Sequence, residues 1–310
     1  MQSPRFDTYY RYADLTRLLH DYADAYPELV QLESIGRSHE GRDIWLLTVT
    51  RQHHGAAGDK PAFWVDGNIH SAELVGSMAC LYLLEQLVSQ DGRDPAVTRC
   101  LDQRTFYICP RINPDGAEWA LADTPRIVRS STRPWPWRDP LPGGLTPQDI
   151  DGDGRILSMR IPDPDGHWKI SAEEPRLMVA REPAETGGDY YRLLPEGSLD
   201  HYDGFSFDVP PNREGLDLNR NFPCDWRAET EQKGAGPFPA SEPEVNAVVR
   251  FLHDHPNICG GVAFHSYSGV LLRPFSHRPD DEMIPEDLRI FETLAAKGSE
   301  LTGYPAISAY

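Results

Sequence analysis

Apolar positions along residues 11–26 (RYADLTRLLHDYADAY) fall at Leu15, Leu18, Leu19 and Tyr22, a helical spacing that Pro27 ends. VQLESIG and DIWLLTVT then read as two strands around the turn residues Ser38, Glu40 and Gly41, a hairpin-like pair. AFWVDGN (residues 62–68) is a short apolar run closed by Asp-Gly-Asn, which suits a buried strand. Leu74, Val75, Met78, Leu81, Tyr82 and Leu84 place a helix over 72–88, packed on a sheet. RTFYICP and GGVAFHS are further buried strands, and LLRPF extends the sheet beside the latter. Helical periods return in SEPEVNAVVRFLHDH and EDLRIFETLAAKGSEL. Strands alternating with helices predict an α/β fold with helices on both faces of the sheet.

Residues 133–213 break this rhythm, being rich in Pro, Gly and Asp with few helical periods. A structureless loop of that length is unusual in a compact domain, so the segment is expected to be a small folded insertion. Within it Asp149, Asp151 and Asp153 alternate before Gly154 and Ile156, like the first half of a calcium loop. Position twelve of such a loop is Arg160 rather than a bidentate glutamate, and a solvated Asx-rich turn is the other reading.

Thirty basic residues against 48 acidic ones give a formal charge of −18, which disfavours nucleic acid and anionic membrane surfaces as partners. No run approaches the roughly 20 apolar residues of a membrane span. The first residues lack the apolar core of a secretory signal. Cys80, Cys100, Cys109, Cys224 and Cys259 are odd in number, widely spaced and form no C-x-x-C pair. They are read as reduced, mostly buried thiols of a cytoplasmic protein.

The chemistry starts at GNIHSAELVGS, where His70 and Glu73 stand three residues apart between a strand and a helix. An imidazole and a carboxylate at that junction can converge on one zinc ion, whose catalytic sites use three protein ligands and an open position. A surface His beside an acid at a helix start is the competing reading. His265, closing the apolar strand GGVAFHS, is the best third donor, because α/β sheets bind ligands beyond the carboxyl ends of their strands. A core histidine bonded to a backbone carbonyl is the alternative there.

The set HSAE, PRINPDG, RIVRSS, DLNRNFP and FHSYSG, in that order, resembles the carboxypeptidase A-like zinc metallopeptidases over most of residues 30–310, interrupted by the insertion. The resemblance implies a catalytic domain over 1–310, built on a mixed, mainly parallel sheet flanked by helices, with 133–213 inserted. It implies zinc on His70, Glu73 and His265, and a peptide substrate whose free C-terminus is bound by Asn219 and Arg220. Arg126 aligns with the arginine that polarises the scissile carbonyl, with Arg129 as the substitute. PRINPDG (110–116) is read as a strand end and turn that shape the site wall.

One part of the family pattern is missing. The family's general base is a glutamate on a late strand, whereas this chain reaches Tyr310 before such a strand. Glu286, Glu292 and Glu300 lie in or beside the last amphipathic helix, in the wrong setting for that role. The expectation is therefore a natural chain that continues past residue 310. The rival readings are a zinc-dependent N-acyl amino acid hydrolase and a non-catalytic binder of peptide C-termini. Arg273 is expected either to favour an acidic side chain or to pair with one of the chain's own carboxylates.

Overall fold

The structure is a computed structural model that describes residues 3–135, 144–200, 202, 207, 215–266 and 268–310. The rest of the insertion, and Tyr267 of FHSYSG, lie outside the described residues. The chain divides into two compact units: Met1–Ala120, Ile127–Pro136 and Glu214–Tyr310 form the first, Leu121–Arg126 and Trp137–Arg213 the second.

The first unit begins with α1 (Tyr12–Ala25), β1 (Val30–Arg37), β2 (Asp43–Val49), β3 (Ala62–Gly67), α2 (Leu74–Gln90), α3 (Pro95–Gln103), β4 (Thr105–Cys109) and α4 (Pro114–Ala120). The second carries β5 (Gly144–Pro147), β6 (Ser158–Pro162), β7 (Trp168–Ile170), β8 (Met178–Ala180), β9 (Tyr191–Pro195) and β10 (Gly197–Asp200). The first then resumes with α5 (Pro243–Asp254), β11 (Ile258–Phe264), β12 (Leu271–Arg273), α6 (Pro285–Thr302) and β13 (Ala306–Ser308).

Five strands of the first unit form one sheet in the order β1-β2-β4-β3-β11. It is mixed: β1–β2 and β2–β4 run antiparallel, β4–β3 and β3–β11 parallel. Alternate side chains serve opposite faces, as the period of two along a strand requires. Leu47, Val49, Val65 and Ile108 pack with Leu15, Leu19 and Tyr22 of α1, Leu81 and Leu84 of α2 and Leu101 of α3. Ile44, Leu46, Trp64 and Tyr107 pack on the other face with Val245, Val248 and Phe251 of α5. Both faces are thus covered by helices, as the alternation of elements predicts.

Local signals explain the boundaries. The Asp94 side chain accepts the Ala96 N–H to cap α3, with Pro95 pre-set at its first position. Gly303 ends α6 in the left-handed conformation, φ 75°. At the mouth of the sheet Gly67 meets Gly76 of α2 backbone to backbone: a Cβ on Gly67 would stand 2.5 Å from the Gly76 carbonyl carbon.

Three expectations need correction. LLRPF does not extend the main sheet; β12 pairs in parallel with β13, Leu271 opposite Ala306, in a sheet of two strands. PRINPDG is more than a strand end and turn, since α4 begins at its Pro114, a residue suited to a first helical turn. The thiols are not mostly buried: Cys80 and Cys109 are, but Cys100, Cys224 and Cys259 are exposed. No helix among the described residues is long and apolar enough to cross a membrane.

By itself the second unit is a four-stranded sheet, β6-β9-β7-β8, and a two-stranded one, β10-β5. In it Asp149, Asp151 and Asp153 do come together. Their oxygens accept backbone N–H groups of Gly152, Gly154, Asp153 and Arg155, the pattern of successive Asx turns.

Candidate metal centre

Two parallel neighbours, β3 and β11, end on the same side of the sheet and deliver the donors. His70 lies three residues beyond β3, Glu73 stands immediately before α2, and His265 follows β11 directly. His70 and Glu73 are buried at 4% and 8% exposure, while His265 is exposed.

Three donor side chains converge. His70 Nδ1 is 2.9 Å from Glu73 Oε1, His265 Nδ1 is 2.9 Å from Glu73 Oε2, and the two Nδ1 atoms are 3.2 Å apart. Atoms about 2.0–2.1 Å from a tetrahedral zinc would be spaced roughly 3.3 Å from one another. Two imidazole nitrogens and one carboxylate oxygen are also the donor chemistry of catalytic zinc. The residues therefore fit the ion that the sequence implies, on distance and on donor type alike.

Beside the donors lies Asp217, which sequence reasoning missed. His70 Nε2 is 3.2 Å from Asp217 Oδ1, whose second oxygen accepts from Arg129 Nε at 3.1 Å. Asp217 also accepts the Asn219 N–H at 2.9 Å. Burial alone would raise the Asp217 carboxyl, but the hydrogen bond from His70, the charges of His70 and Arg129 and the Asn219 N–H hold it at about 2. An ionised Asp217 fixes the His70 proton on Nε2 and leaves Nδ1 free to donate its lone pair. The signal was legible: DLNRNFP opens on this aspartate, and a ligating histidine ordinarily gives its other N–H to a carboxylate. Burial lowers His265, with Glu73 opposing.

Asn219 and Arg220 occupy a short turn, Leu218–Arg220, directly after Asp217, with both side chains exposed. Arg129 also belongs to this unit, and its Nη1 stands 3.8 Å from Glu73 Oε1. Arg126 belongs to the second unit, where burial lowers its pKa. Arg273 is paired: its Nη1 donates to Asp280 Oδ1 at 2.7 Å, so the chain's own carboxylate takes it. Glu286, Glu292 and Glu300 are exposed on α6, as the helical pattern implies.

Known proteins are similar to this chain. Carboxypeptidase A6 of Mus musculus is 27% identical over 274 residues, covering 88% of this chain and 46% of its own length. Carboxypeptidase B of Astacus astacus is 25% identical over 291 residues, 93% of this chain and 70% of its own. The chain thus spans about half the length of the first of these curated relatives, 46%. In fold it is similar to thrombin activatable fibrinolysis inhibitor, with a TM-score of 0.62 at 20% identity over 99% of this chain and 61% of that one. Carboxypeptidase A of Helicoverpa armigera gives 0.61 at 18% identity, over 98% and 58%. A profile of the zinc carboxypeptidases matches residues 15–139 and 155–305, most of the sequence, and the chain belongs to that family.

Proposed function

We propose that this chain carries the zinc site and C-terminus clamp of a metallocarboxypeptidase, which hydrolyses the last peptide bond of a peptide. The observation that best supports this is the meeting of His70, Glu73 and His265, 195 positions apart at the extremes, on the two parallel strand ends. Zinc bound there supplies Lewis acidity and a water of lowered pKa.

The chain's own groups do the rest. Asp217 orients His70 through Nε2, and Arg129 holds Asp217 in turn. The exposed Arg220 guanidinium and Asn219 amide match a carboxylate, the first as a bidentate fork and the second as one more donor. A clamp of that kind selects a free C-terminus and makes the enzyme an exopeptidase. By its place in RIVRSS, Arg126 is the arginine that the family resemblance assigns to the developing oxyanion, a role in which a single donor is worth about two to three powers of ten in rate, with Arg129 as the substitute. Glu73 and Asp217 are committed to the histidines, so neither is assigned as the base that accepts the water's proton.

The test is release of the C-terminal amino acid from an N-blocked peptide, beside its C-amidated form and a chelator control. Release from the free acid alone, abolished by chelation, is the result that supports the reading, and that release is expected to be weak while no residue of this chain is assigned as the base. Release from an N-acyl amino acid but not from the peptide would point to an acylase. Tight binding of the peptide acid without turnover would make the chain a C-terminus-binding module.

A further inference from the structure

We propose that two buried amides, Asn68 and Asn113, are positioning residues that hold the loop carrying His70 and Glu73 in its ligating shape before any ion binds. The proposal rests on the zinc-site reading above. Both side chains are fully buried, at 0% exposure, so every donor they carry must find a protein partner.

Those partners are the carbonyls of the ligand loop. Asn68 Nδ2 donates to the carbonyl oxygens of His70 (2.8 Å) and Ser71 (3.2 Å). Asn113 Nδ2 donates to the carbonyls of Ile69 (3.2 Å) and Ser130 (2.7 Å), and Ser130 Oγ donates to Ile69 as well (2.7 Å). Three successive carbonyls, 69 to 71, are therefore pinned by side chains.

The amides are held from behind in their turn. Asn68 Oδ1 accepts from Ser77 Oγ at 3.3 Å, and Ser77 Oγ accepts from Arg111 Nε at 3.3 Å. Asn113 Oδ1 accepts the Gly116 N–H at 2.9 Å, and the two backbones join where Asn113 N–H meets the Asn68 carbonyl at 3.1 Å. Asn68 sits in the left-handed region, φ 57°, which asparagine tolerates better than other side chains of its size. A Cβ on Gly116 would stand 2.5 Å from Asn113 Nδ2 and 2.8 Å from the Ser130 carbonyl, so the glycine of NPDG leaves room for the pin.

Orientation follows from these bonds. The peptide planes on either side of His70 set where its ring points, and both carry a pinned carbonyl. With the amides removed, those planes must be ordered by the ion itself, and the ordering is subtracted from its affinity. A residue serving only the fold would lower thermal stability and leave zinc affinity of the folded protein unchanged.

The experiment measures zinc Kd by competition with a chromophoric chelator, on the full chain, well below each protein's melting temperature. Asn68→Gly deletes one pin and suits φ 57°, while Asn113→Asp keeps volume and acceptor but turns the donor against two carbonyls. Each is expected to weaken zinc about 10- to 100-fold, the scale of lost outer contacts at metal sites. Amide exchange across residues 69–73 of the zinc-free variants should quicken at the same time. Kd values within threefold of the parent, whatever the melting temperature, would overturn the proposal. If Asn113→Asp does not fold, Asn68→Gly decides. A parent chain that binds no zinc in the same titration defeats the zinc-site reading itself, a result distinct from equal affinities.

Discussion

In His70 the two ring nitrogens have different work: Nδ1 faces Glu73 and His265, and Nε2 faces Asp217. A neutral imidazole has one lone pair to give, so whichever group takes the proton decides which nitrogen can ligate. Asp217 takes it. Replacing Asp217 by Ala leaves that proton without its buried acceptor and frees Arg129, whose Nη1 is already 3.8 Å from Glu73, to compete for the ligand carboxylate. Asp217→Ala should therefore weaken zinc by about 10- to 100-fold with all three ligands intact. Chelator competition measures this, and an unchanged Kd would mean that the His70 tautomer is set by some other contact.

The same site depends on how closely two elements approach. β3 and the first turn of α2 touch through Gly67 and Gly76, and a Cβ on Gly67 would fall 2.5 Å from a backbone carbon that cannot swing aside. Gly67→Ala should cost about 1–3 kcal/mol of stability by overpacking, read from urea unfolding. Gly58→Ala, where a Cβ meets nothing within 4 Å, should stay within about 0.5 kcal/mol. The elements themselves were largely legible, because β2, β3 and β4 are short apolar runs between turn residues and α1 has a clean helical stripe. What sequence could not supply was partnership across distance. Nothing in LLRPF says that Leu271 will face Ala306 rather than β11, and although DLNRNFP displays an aspartate, nothing in it says which histidine, 147 positions away, that carboxylate will meet. The inward side chains of NPDG were hidden for a related reason: Asn113 and Asp115 are turn residues by composition, and only the fold buries them.

For the whole molecule, a charge of −18 and a core that encloses carboxyls make stability depend on pH. Burial pushes Asp66 up to about 7, although Trp64 Nε1 donates to it. Glu244 reaches about 7 as well, again chiefly by burial, with Asp115 and Glu242 adding repulsion and the His39 N–H opposing. An unfolded carboxyl titrates near about 4, so between about 4 and 7 the folded chain binds more protons than the unfolded one. Stability must then fall as pH rises through that window and level off above it, by up to about 1.4 kcal/mol per pH unit for each group. Mutual repulsion of the many surface carboxylates gives a decline of the same sign, but salt screens it within a Debye length of about 10 Å at 0.1 M and leaves buried groups nearly untouched. Urea unfolding at pH 5, 6, 7 and 8 in 0.5 M salt should retain the decline in the parent and flatten it in Asp66→Asn and Glu244→Gln. Equal slopes in all three proteins would show that neither carboxyl changes protonation on folding, and the pH dependence would then belong to the surface charge.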